Sequence, residues 1–163
     1  MNKETHTQAL ANKLAPVVTA LGTLDLTAPH LVRKALQEKF PVGDAFWREV
    51  KELVRVGVAN QWLCDRENAG IKFSRIQKAP APDSGFVIDC VHMNRLGGGA
   101  HQHPKGEVSM AFCVDGDPRF DGWAEGWVVY GPRSWHVPVV SSGAMDIVYF
   151  LPGGAMIFGD RPK

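Results

Sequence analysis

The chain has 163 residues, 45% of them apolar and 21% charged, with a formal charge of +1. That length is enough for a sizeable hydrophobic core, and the composition excludes a disordered chain. The charge is balanced in both halves, so there is no basic field for nucleic acid or an anionic membrane surface.

The opening MNKETHTQ holds no apolar h-region, and no apolar run nears the ~20 residues of a membrane span. Cys64, Cys90 and Cys113 are far apart and read as free thiols, so a cytoplasmic protein without membrane association is expected. Helical periodicity follows. Leu10, Leu14, Val17, Val18 and Leu21 describe one apolar stripe that Gly22 closes. A second helix is expected to begin at Thr27, ahead of Ala28 and Pro29, and to bury Leu31, Val32, Ala35, Leu36 and Phe40. Asp44 is the expected N-cap of a third helix burying Phe46, Trp47, Val50, Leu53 and Val54, with Gly57 ending it.

From residue 69 the pattern changes to short apolar runs between Gly and Pro turn signals. Expected strands are Ile71–Ile76, Phe86–Met93, Val108–Val114, Gly126–Tyr130, Trp135–Val140, Asp146–Leu151 and Ala155–Phe158, with APAPD (79–83) as a turn. The expected organisation is therefore an N-terminal helical segment, 1–68, and an antiparallel β-barrel, 69–163. The helices also admit a helix-turn-helix reading, but WREVKELVRVG interleaves Glu49 and Glu52 with Arg48, Lys51 and Arg55. A recognition helix presents a cleaner basic face, so nucleic acid is not an expected partner.

Chemistry concentrates in GGGAHQHPKGEVSM, residues 97–110. Side chains at i and i+2 of an extended strand share a face, so His101 and His103 point the same way if 100–103 is extended. The turn Pro104-Lys105-Gly106 then returns Glu107 to the same centre, and His136, after Gly131-Pro132, is the candidate fourth ligand. Three imidazoles and a carboxylate suit a divalent transition metal (Fe, Mn, Zn, Co or Ni) with open positions, and no cysteine nearby points to a closed structural zinc. No organic cofactor is expected, since the glycine run does not open a helix that would cradle a phosphate. His92 reads as a core histidine, and His6 and His30 as helical-segment residues without a role.

HQHPKGE followed by GPRSWH resembles the two motifs of the cupin superfamily, which implies a cupin-like jelly roll with His101, His103, Glu107 and His136 on a catalytic metal. In length and layout, and in GGGAHQHPKGEVSMAFCVDG and EGWVVYGPRSWHVPVV, the chain is similar to the bacterial 4-hydroxylaminobenzoate lyases. That resemblance implies conversion of 4-hydroxylaminobenzoate to protocatechuate and ammonia in nitrobenzoate breakdown. Such a reaction needs assistance to a departing hydroxyl and an activated water, from a metal or from Glu107 and His136 as acid and base. A benzoate carboxylate calls for arginine, with Arg133 first, then Arg95 and Arg75; Trp127, Trp135 and Tyr149 are candidates to flank the ring. The alternatives are a metal-dependent cupin dioxygenase or isomerase on a small aromatic or keto acid, and a non-catalytic sensor module. A homo-oligomer is expected from the extra apolar surface of the helices.

Overall fold

The computed structural model describes residues 1–81 and 84–163; the end of the APAPD turn, Pro82 and Asp83, lies outside the described residues. Among the described residues, α1 (Lys3–Leu21), α2 (Pro29–Lys39) and α3 (Ala45–Ala59) precede the strands. These are β1 (Arg66–Asn68), β2 (Ile71–Gln77), β3 (Phe86–Gly97), β4 (His101–His103), β5 (Glu107–Phe120), β6 (Gly126–Tyr130), β7 (Ser134–His136), β8 (Val139–Pro152) and β9 (Ile157–Phe158). No helix among them is long and apolar enough to cross a membrane. The mainly β, antiparallel architecture behind helices is the one expected.

Asn2 caps α1 by accepting the Thr5 N–H, and Asp44 caps α3 by accepting the Trp47 N–H at 2.7 Å. Three local expectations are corrected. α2 starts on Pro29 with Ala28 at the cap position, while Thr27 turns its N–H and hydroxyl to Asp25 instead. Leu31 is exposed, and the buried stripe of this segment is Val32, Leu36 and Phe40, at four-residue spacing. Gly57 does not end α3, which runs on to Ala59. A Cβ at Gly57 would stand 2.8 Å from buried Leu63, so the glycine admits the chain that folds back after the helix.

The strands make a six-stranded sheet, β1-β2-β3-β8-β5-β6, and a three-stranded sheet, β7-β4-β9. β8 lies between β3 and β5, the crossed order of a jelly roll. Strand pairing does not close the two sheets into a barrel; they face each other across a cavity. The expected strand Trp135–Val140 is split: Ser134–His136 joins the small sheet, and the chain re-enters the large one at Val139 after Pro138, which has no N–H for a ladder.

Strand alternation gives the large sheet two apolar faces. On one, Ile88, Val108, Met110, Phe112, Val148 and Phe150 meet Leu10, Leu14, Val50 and Val54 of the helices. Trp47 is the hub there, with ring centroids 4.9 Å from Phe112 and 5.6 Å from Trp127. The other face carries Met93, Ala111, Met145 and Ile147, packed with Phe120, Val128 and Val140, and forms the floor beneath the cavity.

Candidate metal centre and substrate cavity

The register of the small sheet assembles the centre. His101 pairs with His136 and His103 with Ser134, and cross-strand partners share a face. His136 Nε2 therefore stands 2.9 Å from His101 Nε2 and 2.9 Å from His103 Nε2. One ligand atom from each ring falls within 4.8 Å of the other two. Glu107, returned by the turn at Gly106, sets Oε2 3.4 Å from His103 Nε2 while Ser109 donates to Oε1. A Cβ at Gly106 would lie 2.7 Å from the Tyr130 carbonyl oxygen and its φ is +88°, so the turn requires glycine.

The outer nitrogens decide what the inner ones offer. His101 Nδ1 lies 2.8 Å from the Gly99 carbonyl, which only accepts, so that nitrogen carries the proton. His136 Nδ1 lies 2.7 Å from the Asp121 carboxylate and donates for the same reason. Both Nε2 atoms then turn lone pairs toward each other at 2.9 Å, a repulsion that a cation ligated by both, to one side of the pair, would relieve. The donor set and its geometry fit a transition metal bound through Nε2, with Gly99 and Asp121 orienting the rings from behind. His103 is oriented by stacking on Tyr130, with ring centroids 5.9 Å apart.

Burial tunes the same groups. It lowers His103 to about 3, helped by repulsion from His101 and His136, and it lowers His101 as well. These rings are neutral near pH 7, as ligands must be. Burial also raises the Glu107 carboxyl to about 7. It opposes ionisation of Asp121 too, but bonds from His136, Tyr130 and the Val139 N–H outweigh it and hold that carboxyl below the usual range.

A cavity of about 290 Å³ opens beside the centre, sized for a single aromatic ring. His101, Glu107 and His136 bound it on one side, and Ile71, Phe73, Val91, Met93, Ile147 and Phe158 make most of the wall apolar.

Three comparisons bear on this site. The family model described as PnbB: 4-hydroxylaminobenzoate lyase matches residues 14–158. The chain belongs to that family. It is 31% identical over 147 residues to a 4-hydroxylaminobenzoate lyase of Nocardioides sp. (strain LMS-CY), covering 83% of this chain and 86% of the relative. It is 29% identical over 151 residues to one of Pseudomonas putida, covering 82% and 86%. Among solved structures it is similar to an RmlC-like cupin protein from Ralstonia eutropha, at 16% identity and a TM-score of 0.44, over 57% of this chain and 62% of that one.

In this lyase-family chain the four residues expected as ligands do meet, with the three imidazoles as the tight group and Glu107 against His103. Tyr149 lines the cavity. Arg133, Arg95, Trp135 and Trp127 do not. Arg133 sits at φ +63°, its N–H tied to the His103 carbonyl, and points to solvent. Arg95 occupies a bulge at φ +48°, which turns its side chain outward toward Asp115. Trp135 pairs with Gln102 and so takes the face opposite the histidines. Trp127 is on the helix side of the large sheet, donating its Nε1–H to the Phe40 carbonyl. His92 is a satisfied residue of that side, 2.7 Å from Asp146. Asp121 escaped sequence reasoning: it stands 15 residues from His136, and the following Gly122 marks only a turn.

Proposed function

We propose that this chain is a cytoplasmic, metal-dependent lyase that converts 4-hydroxylaminobenzoate to protocatechuate (3,4-dihydroxybenzoate) and ammonia in nitroaromatic degradation. The observation that carries the reading is the convergence of three imidazole Nε2 atoms beside Glu107, at an apolar one-ring cavity, in a chain of the lyase family. The three free thiols suit a reducing compartment.

The net change consumes one water: the N–O, the C–N and one ring C–H bond break, two ring C–O bonds form, and the nitrogen leaves as ammonia. No external oxidant or reductant is needed. His101, His103 and His136 would hold the metal and Glu107 completes or flanks the set. A divalent transition metal there would supply Lewis acidity to the departing hydroxyl and bring the pKa of bound water toward neutrality. Where Glu107 flanks the ion instead of ligating it, its buried carboxyl, 3.4 Å from His103 Nε2, is the group placed to exchange protons with the hydroxyl and the attacking water. Phe73, Val91 and Ile147 exclude bulk water from the ring, and Tyr149 closes the wall near Glu107.

Purified protein given 4-hydroxylaminobenzoate should release ammonia and protocatechuate in equal amounts, aerobically or not. Chelation should abolish this and metal should restore it. Activity in metal-free protein would assign the chemistry to Glu107 and His136 alone. Strict oxygen dependence would favour a dioxygenase, and absence of ammonia would overturn the lyase reading.

A further inference from the structure

An aromatic acid brings a carboxylate into a cavity whose described lining holds no lysine or arginine. The cations stand immediately beyond two of its wall residues. A second groove is lined by Arg66, Phe73, Ser74, Arg75, Lys78, Asp89 and Tyr149, and Phe73 and Tyr149 belong to both linings.

Register puts the two depressions on the same face of the large sheet. Asn68 pairs with Ile71 and Arg66 with Phe73, so all four side chains share the inner face, where Asn68, Ile71 and Phe73 line the cavity. Arg75 is two residues on from Phe73 and keeps that face; it pairs with Asp89, which pairs in turn with Tyr149. The Arg66 guanidinium carbon lies 4.8 Å from the centroid of Phe73. Asp89 holds Arg75 in a two-point contact, with Nε 2.8 Å from Oδ1 and a terminal nitrogen 3.2 Å from Oδ2.

We propose that Arg66 forms the carboxylate-binding end of the cavity, with Arg75 neutralising the neighbouring Asp89, and sets its specificity for planar aromatic acids. A ring lying against Phe73 presents its carboxylate to the guanidinium stacked on that same Phe73, a planar two-donor partner suited to a carboxylate. The anion is then held by strands β1 and β2, and the opposite substituent is left to the imidazoles of the small sheet. That the ligand is an aromatic acid rests on the reading above; that its carboxylate goes to Arg66 rests on the geometry of Phe73 and the two adjoining depressions.

Binding of benzoate and of benzamide, two inert probes, is measured by calorimetry on the metal-loaded wild type and on R66M, R75M and R133M. Arg66 and Arg75 are exposed, so loss of either leaves the core in place, and a thermal melt of each variant verifies it. Benzoate affinity should fall tenfold or more in R66M and severalfold or more in R75M, benzamide affinity should change less than twofold, and R133M should match the wild type. Benzoate that fails to bind the wild type, that binds R66M normally, or that weakens in step with benzamide overturns the proposal. The two readings separate cleanly. Arg66-dependent benzoate binding without turnover of 4-hydroxylaminobenzoate sinks the lyase, and turnover that ignores Arg66 sinks the carboxylate site.

Discussion

His136 donates its Nδ1 proton to Asp121 Oδ2 at 2.7 Å, and the same oxygen accepts the Tyr130 hydroxyl while Oδ1 accepts the Val139 N–H at 2.8 Å. Asp121 thus uses both carboxylate oxygens to set one ring. Its own backbone is held at φ +48° in the turn before Gly122. Three donors from three parts of the chain fix the acceptor, and the acceptor fixes the tautomer of the histidine.

Losing that acceptor should weaken the metal site without emptying the fold. D121N keeps an oxygen for the Val139 N–H but offers a poorer partner to His136, and should lower metal affinity by about 10–100-fold. A competition titration against a chelator reads this directly. Nitrogen-15 NMR should show His136 leaving its Nδ1–H tautomer. Unchanged affinity together with an unchanged tautomer would remove Asp121 from the role.

The three imidazoles should act as one unit. H101A, H103A and H136A are each expected to lose bound metal, measured by mass spectrometry, and to lose nearly all turnover. Because the first loss already disables the centre, H101A/H136A should be little worse than either single variant. Additive losses across the three would mean the rings contribute separately and hold no common ion.

The legible parts of this molecule were those governed by one strand or one helix. Spacing of Leu10, Leu14 and Val17 exposed a helix face, and the i, i+2 alternation of His101 and His103 exposed a shared side of β4. The illegible parts depend on backbone twists that alternation cannot see. Arg95 and Arg133 both sit at positive φ, where the side chain leaves the direction its neighbours imply. Trp135 is different: its parity relative to His136 was visible, and it places the indole behind the histidines. Arg66, the proposed carboxylate partner, was hidden because β1 is a three-residue strand with every residue exposed, which carries no apolar pattern. Asp121 was hidden because its partner is made a neighbour only by folding.

A backbone constraint sits where β5 and β8 run past each other. Gly143 has φ +156°, and a Cβ there would lie 2.0 Å from the Asp115 carbonyl oxygen, across the bulge that shifts the register between Gly116 and Arg119. No side-chain rotation relieves a clash with backbone. G143A should therefore cost about 2–4 kcal/mol, a value typical of overpacking combined with strain. Denaturant unfolding measures it. A variant as stable as wild type would show that the two strands can separate locally at no cost.

One carboxylate ties α3 to the sheet by three hydrogen bonds, and that tie should depend on pH. Glu125 accepts from Trp47 Nε1 at 2.9 Å and Lys51 Nζ at 2.7 Å on α3, and from the Cys113 N–H at 2.9 Å on β5. Burial alone would raise its pKa, but the bonds from Lys51, Trp47 and Cys113 outweigh burial and hold it below the ordinary carboxylate value. A folded-state value below the unfolded one stabilises the protein at every pH above the unfolded value, about 4.3, and this stabilisation disappears as the pH falls through the folded value. E125Q keeps the shape and one acceptor while removing the charge, and should cost about 1–3 kcal/mol at pH 7. Melting curves of the two proteins should draw together as the pH is lowered from 5 toward 3, because the wild type then loses the same charge. A gap that stays constant over that range would mean the tie works through shape alone, and the ionised carboxylate would have no part in holding α3 to the sheet.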